Sequence, residues 1–599
     1  MAQPQTESPA NAALGTLPAW NLGDLYAGQD DPQLAKDFVK AEAEAEAIAR
    51  DYQDKLSALS GAELARAIAR YEANDETLGK IMSFAQLLYS GNQSDAALAR
   101  FYQSCQERMT LISTKTLFFT LEINRIDDAA FARQLADPAL QKYAPWLRDL
   151  RIYKPYQLSD ELEKLLHEKR LTGKSAWHRL FDETLADLRF PLDGKDLTEA
   201  EILNLMVNKD RTVRAKAAGV FAKVLNDNRR LFAFITNTLA KDKDIEDNWR
   251  GFKQPISSRN LSNLVEDEVV DALLSAVKAS YPKLSHRYYR LKAKWLGMDK
   301  MAYYDRNAPL PAAQDNVIPW AEARQMVESS YRQFSPELGN IVQGFFDKNW
   351  IDAPARPGKA SGAFAHPTVP SAHPYILMNY QGKKRDVMTL AHELGHGVHQ
   401  VLAGQAQGHF LSDTPLTLAE TASVFGEMLT FQNLLKNETD PAARKILLAG
   451  KVEDMLNTVV RQIAFCEFER AVHAERKNGE LSAERLGEIW MTVQRESLGD
   501  AFDFAPEYNM FWAYIPHFIH TPFYVYAYAF GDCLVNSLYA VYQKSAPGFA
   551  EKYLELLKSG GSKRHKELLA PFGLDASQPD FWHQGLNMLS GFIDELERL

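Results

Sequence analysis

Asp386-Val387-Met388-Thr389-Leu390-Ala391-His392-Glu393-Leu394-Gly395-His396-Gly397-Val398-His399-Gln400-Val401-Leu402-Ala403-Gly404 is the stretch from which the rest of the chain can be read. Val387, Leu390, Ala391, Leu394 and Val398 recur at helical spacing, so the segment is predicted to be a helix with one buried face. Asp386 is its expected N-cap, after Lys383-Lys384-Arg385, and Gly404 its expected stop. Four residues advance a helix by about 400°, which puts His392 and His396 on one face, one turn apart. Imidazoles so placed can share one Zn²⁺, and Glu393, next to the first of them, can act on a water at the ion.

Working outward, the third ligand has to come from elsewhere, because a catalytic zinc site uses three protein ligands and one open position. The extension that would place glycine at 399 and histidine at 402 fails, since those residues are His399 and Leu402. Downstream, 417–427 reads as a second helix carrying Glu420 and Glu427, seven residues apart and so on similar faces. Glu420 completes a His₂Glu set, and Glu427 is then free to accept from a histidine N–H. His399 reads as a residue supporting the ligands or packing the core. His366, His373 and His409 fall in predicted loops, as substrate contacts or solvent-facing groups.

A second dense stretch runs from Phe511 to Tyr528 and holds His517, His520, Tyr524, Tyr526 and Tyr528. Thr521-Pro522 reads as an N-cap and first helical residue, with His517 and His520 in the loop before it and Tyr524 and Tyr528 sharing a helix face. Phenol and imidazole groups suit stabilisation of an oxyanion, where one donor contributes roughly 3–4 kcal/mol. An aromatic stripe packing a core is the plainer reading of these residues taken alone.

The rest of the chain bounds the possibilities. Its 599 residues are 46% hydrophobic and 24% charged, as in an ordinary globular enzyme rather than a disordered chain. A net charge of −10, with no long basic run, disfavours nucleic acid as a partner. Cys105, Cys466 and Cys533 are far apart, which disfavours a disulfide framework and a cysteine-ligated metal and fits a cytoplasmic setting. Residues 1–19 read as a flexible arm without the pattern of a secretory signal. The most apolar window, 523–542, is interrupted by Gly531, Asp532 and Asn536, and reads as a buried helix rather than a membrane span.

Helical periodicity dominates from residue 34 onward, with predicted helices at 33–56 and 61–88 and a capping box at Thr198-Glu199-Ala200-Glu201. Strands are expected only at 301–306 and 374–380, separated in part by a Pro/Gly/Ala/Ser-dense loop at 353–373. A strand at 375–380 feeding the histidine helix would present a sheet edge to an extended peptide.

Taken together, these pieces resemble the oligoendopeptidase F group of the M3, thimet oligopeptidase-like, zinc metallopeptidases. The matching residues are His392-Glu393-Leu394-Gly395-His396-Gly397-Val398-His399, Ala419-Glu420-Thr421-Ala422-Ser423 with Glu427, Pro516-His517-Phe518, and Phe523 to Tyr528. Trp20-Asn21-Leu22-Gly23-Asp24-Leu25-Tyr26 is similar to that group's entry motif, and Gly358-Lys359 with Gly362-Ala363-Phe364 to its glycine-rich substrate loop. The resemblance covers the chain from about residue 20 to its end. It implies a mostly α fold, a large helical ellipsoid with a deep substrate channel and one small β-sheet beside a thermolysin-like zinc helix pair. Residues 20–200 would be an N-terminal helical domain forming one channel wall, and 201–599 the catalytic domain. It further implies one Zn²⁺ per chain on His392, His396 and Glu420, with Glu393 as general base and His517, Tyr524 and Tyr528 assisting the oxyanion. The implied substrates are unfolded oligopeptides, cut internally, with no nucleic acid or membrane partner. A metallocarboxypeptidase, or a non-catalytic peptide-binding helical protein, is the alternative.

Overall fold

A computed structural model describes residues 13–170, 172–311, 317–544 and 547–599. Residues 1–12 of the expected flexible arm lie outside the described residues. Its later part is held: Leu14 is buried and its carbonyl accepts from Trp320 N, and the Pro18 carbonyl accepts from Ala353 N.

The fold is mostly helical, and local chemistry explains where the helices begin. Asp31 caps Pro32–Tyr52, with proline at the first helical position. Ser60 and Glu63 form a reciprocal capping box at the head of Gly61–Gly91, and Thr198 with Glu201 does the same for Glu199–Leu205. The three cysteines are buried and free.

The chain forms two compact units, neither continuous in sequence. The first comprises Met1–Lys154, Asp315–Asn437 and Ser545–Gly573. Here Pro32–Tyr52, Gly61–Gly91 and Ala96–Thr116 pack around Phe38, Leu78, Ile81, Phe84 and Ile112. The Trp20 motif belongs to this packing: the Trp20 ring meets Tyr375 edge-on, and the Tyr375 hydroxyl donates to the Asn21 carbonyl at 2.8 Å.

The first unit also carries a three-stranded sheet, with Tyr375–Tyr380 in the middle. Ile351–Pro354 pairs with it in parallel on one side and Phe364–His366 antiparallel on the other. The expected strand at 375–380 is therefore present but central, and Phe364–His366 takes the edge. Burial of Tyr375, Ile376, Leu377 and Met378 alike fits a strand covered on both faces. Lys359, read as part of a substrate loop, is instead buried inside this sheet's connection. Its ammonium donates to the Asp352 carboxylate and to the carbonyls of Asp352, Pro354 and Met378.

The second unit comprises Pro155–Gln314, Glu438–Lys544 and Leu574–Leu599. In place of one sheet in the whole chain, two further two-stranded sheets occur here. The strand expected at 301–306 shrinks to Met301–Ala302, parallel to Phe502–Asp503, before the backbone turns at Tyr303–Asp305. Phe190–Leu192 and Lys195–Leu197 form a hairpin whose two-residue turn, Asp193-Gly194, has φ of 50° and 78°, as a type I′ connection requires. The apolar window becomes Tyr526–Gln543, a core helix packed on Pro579–Arg598 and holding an internal Asn536–Asp532 hydrogen bond of 2.8 Å. No described helix is long and apolar enough to cross a membrane.

Candidate metal centre

The histidine helix spans Lys384–Gln407, longer than its sequence signals imply. Asp386 sits at the third helical position, where its carboxylate accepts from the backbone N–H groups of Gln381 and Lys383 at 2.8 and 3.0 Å. Gly404 stays buried inside the helix, and the stop is Gly408, whose φ of 78° suits glycine. Val387, Leu390, Ala391, Leu394 and Val398 form the buried stripe. Gly395 has a separate duty: a Cβ there would lie 2.5 Å from the Ser423 Cα and closer still to the Ala422 carbonyl. Only a glycine lets the histidine helix and the segment that follows Glu420 approach this closely.

The 417–427 segment is not one helix. Leu416–Ala419 is a short turn, Glu420 breaks it at φ −80° and ψ 0°, and Thr421–Asn437 follows. The break presents the Glu420 carboxylate to both histidines. Its Oε2 lies 3.4 Å from His392 Nε2 and 3.5 Å from His396 Nε2. Tetrahedral ligands about 2.0–2.1 Å from a zinc ion sit about 3.4 Å from one another, so the spacing and the donor set fit the ion. Each of the three side chains keeps between 21 and 27% exposure, which leaves a side open to solvent.

The supporting groups are equally specific. Glu427 Oε2 lies 3.3 Å from His392 Nδ1, the Ala419 carbonyl accepts from His396, and the Ser423 hydroxyl donates to Glu420 Oε2 at 2.6 Å. These contacts fix ring orientation and leave both Nε2 atoms facing the carboxylate. The charges call for a cation. Burial opposes a proton on His392, but Glu427, Glu420 and Glu393 outweigh it and raise its pKa to about 9. Burial, aided by His392, lowers His396 to about 4. Glu420 stays below its usual range despite burial, because both histidines and Ser423 favour its charged form. A metal ion would replace the proton that this cluster otherwise draws to His392.

Glu393 is 6% exposed and accepts from the Ala365 backbone N–H on the edge strand. Burial raises its pKa to about 7, with Glu420 adding to the effect and His392 and Ala365 opposing it. The Ala365 carbonyl accepts from Gln400 Nε2 at 3.3 Å. Both backbone groups of Ala365 thus turn away from the sheet, toward the histidine helix.

His399 is a buried core residue held neutral by burial, with a pKa of about 4. His366 lies in a strand and bonds Ser83, His373 stacks on Trp350 and bonds Asp24, and His409 bonds Asp75. The expected loop placement is corrected for His366, which lies in a strand, and for His409, which lies in a one-turn helix, while His373 is in a loop. Tyr331 carries no local signal in the sequence, yet its hydroxyl donates to the Ala391 carbonyl at 2.7 Å and fills the space left by Gly426. Ser423 sits three residues after Glu420, within reach of its carboxylate.

In the second unit the Tyr/His stretch departs from the expected helix start. Phe523 has a left-handed φ of 61° and its N–H donates to buried Glu469, so the helix begins at Tyr526 rather than at Pro522. His517 and His520 lie in a one-turn helix, not a loop. His517 Nε2 lies 3.2 Å from the Tyr528 hydroxyl, and the Tyr524 ring stacks on His517 and meets Tyr528 edge-on. Tyr526 is buried with its hydroxyl on Asn263, and His520 bonds Asp182. His517, Tyr524 and Tyr528 therefore cluster, while Tyr526 and His520 point elsewhere.

Comparison with known proteins identifies the family. Residues 204–588 match the model of peptidase family M3, and residues 122–190 that of Oligopeptidase F. Oligopeptidase PepF of Bacillus subtilis is 26% identical over 592 residues, covering 97% of this chain and 87% of that protein. An oligoendopeptidase F homolog of Borreliella burgdorferi is 26% identical, covering 97% and 98%. Among solved structures, oligoendopeptidase-F from Enterococcus faecium shares the fold with a TM-score of 0.72 at 22% identity, covering 94% of this chain and 98% of that one. The chain belongs to peptidase family M3, as a metallo-endopeptidase of its oligoendopeptidase F group.

Proposed function

We propose that this protein is a zinc-dependent oligoendopeptidase, with His392, His396 and Glu420 holding one Zn²⁺ and Glu393 acting as general base. The observation that carries the reading is the convergence of both Nε2 atoms on one Glu420 oxygen, at 3.4 and 3.5 Å, beside the Glu393 carboxylate. Bound zinc supplies Lewis-acid polarisation of a carbonyl and lowers the pKa of water towards about 7. Glu393 takes the proton of the attacking water and returns it to the leaving amine. Glu427 and the Ala419 carbonyl keep the imidazoles turned to their task. An extended peptide adding to the Phe364–His366 edge would have to take over the Ala365 N–H and C=O from Glu393 and Gln400. His517, with Tyr524 and Tyr528, is assigned to the oxyanion on the strength of the resemblance and of their mutual contacts. Buried, unpaired thiols fit a reducing, cytoplasmic setting.

The test is digestion of a mixed peptide library that includes peptides blocked at both ends, read by mass spectrometry with and without a chelator. Internal cleavage of blocked peptides, abolished by chelator and restored by Zn²⁺, is expected. Removal of single C-terminal residues only would make the protein a carboxypeptidase, and chelator-resistant cleavage would remove the metal from the mechanism.

A further inference from the structure

Within the second unit, positive charge exceeds its partners. Asp305 is fully buried and is taken by Arg214 at 2.7 Å and Arg211 at 3.0 Å. Glu453 accepts from Lys292 and from the Tyr288 hydroxyl, each at 2.6 Å. Two further guanidiniums, Arg306 and Arg461, adjoin this group and have no carboxylate within 4.0 Å among the described residues. The Nε of each is sealed from solvent without a hydrogen-bond partner. Arg461 makes one long contact, 3.5 Å, with the Tyr514 hydroxyl and lies over the Phe465 ring. The neighbouring phenols supply no negative charge: burial raises the pKa of both Tyr289 and Tyr508, and the Tyr508 hydroxyl is spent on Gln494.

An unpaired buried cation is costly, and a guanidinium cannot escape by losing its proton. Such a pair persists where an anion is to be received. Neither residue as a whole is fully buried. The planar fork of arginine matches a carboxylate better than any other common anion in a peptide. Their position is informative too, because Arg461 acts electrostatically on His517, the residue assigned above to the reacting carbonyl.

We propose that Arg306 and Arg461, with Tyr514, form a subsite for a carboxylate of the peptide substrate. The inference rests on the peptidase reading. The carboxylate is either the C-terminus of a short peptide or an Asp or Glu side chain near the cleaved bond. A C-terminal source would favour short peptides ending close to the cut.

Two matched peptide pairs test this on the zinc-loaded full chain, one differing only in a free or amidated C-terminus and one only in Glu or Gln near the cut. Wild type should favour the charged member of one pair by about ten- to a hundredfold in kcat/KM, mainly through KM. Arg461→Met and Arg306→Met should erase that preference, bringing the charged and neutral members of the responding pair to the same kcat/KM, and should not lower the melting temperature. The pair that responds identifies the source of the carboxylate. Equal cleavage of both members of both pairs by wild type overturns the proposal without needing any variant. So does a preference that survives both substitutions. If no peptide is cleaved, the peptidase reading fails, and calorimetric binding of the same peptides decides the subsite separately: tighter binding of a charged member, lost in Arg461→Met, upholds it, and equal binding overturns it.

Discussion

Gly395→Ala puts the packing argument for the metal centre at direct risk. The new Cβ would lie 2.5 Å from the Ser423 Cα, whereas ordinary contacts begin at 3.4 Å. The obstruction is backbone on Thr421–Asn437, which has no rotamer to yield, so the two helices must part by about 0.9 Å. Glu420 moves with the segment it begins, and its 3.4 and 3.5 Å separations from the two imidazoles then exceed the tetrahedral spacing. Disturbing groups that merely orient ligands costs about 10–100-fold in metal affinity, and displacing a ligand costs at least that. Overpacking should also cost about 1–3 kcal/mol in the stability of the metal-free protein. Zinc affinity by competition with a chromogenic chelator, and thermal melts in excess chelator, measure the two effects. Gly219→Ala is the control: it lies inside Arg211–Asp227 with nothing within 4 Å of a built Cβ, and should stabilise by about 0.5–1 kcal/mol. Wild-type zinc affinity in Gly395→Ala would refute the claim that this glycine sets the distance between ligands.

Two other outcomes follow from buried carboxylates. Glu427→Ala removes the group opposite His392 Nδ1 and should weaken zinc binding about 10–100-fold with the fold intact; unchanged affinity in the same chelator competition would deny Glu427 that role. Glu469 is buried, accepts from the Phe523 N–H, and burial raises its pKa from 4.5 to about 8. The unfolded chain releases this proton first, so native stability falls as pH rises from about 4.5 to about 8. Glu469→Gln should flatten that fall, its melting temperature gaining on wild type across the window; parallel curves would contradict the assignment.

The histidine helix was legible because its information is local: two histidines one turn apart and an apolar stripe follow one 3.6-residue period, with Glu393 beside the first histidine. Glu420 was also found from sequence, but the reason it reaches both histidines was not. Both sides of Glu420 are helical, so periodicity runs straight through the break that aims its carboxylate. Phe364–His366 and Ile351–Pro354 were hidden for another reason. Each is a few residues inside a Pro- and Gly-dense region, and becomes a strand only by pairing with Tyr375–Tyr380. The Asp193-Gly194 turn did carry a strong local hairpin signal, flanked by strands too short to stand out. Lys359 shows the limit of reading loops by composition, since its burial depends on carbonyls up to nineteen residues away. Arg306 and Arg461 are 155 positions apart, and only the folded chain reveals that the Nε of each is buried without a hydrogen-bond partner among the described residues.

The central claim is that Glu393 works as a base on a centre it does not itself ligate. Glu393→Gln, purified and loaded with zinc, tests this most directly through two readings on one sample, zinc per chain and turnover of a peptide blocked at both ends. The account predicts one zinc per chain and turnover reduced by about 10²–10⁴-fold. Turnover close to wild type, or loss of the zinc, would contradict it.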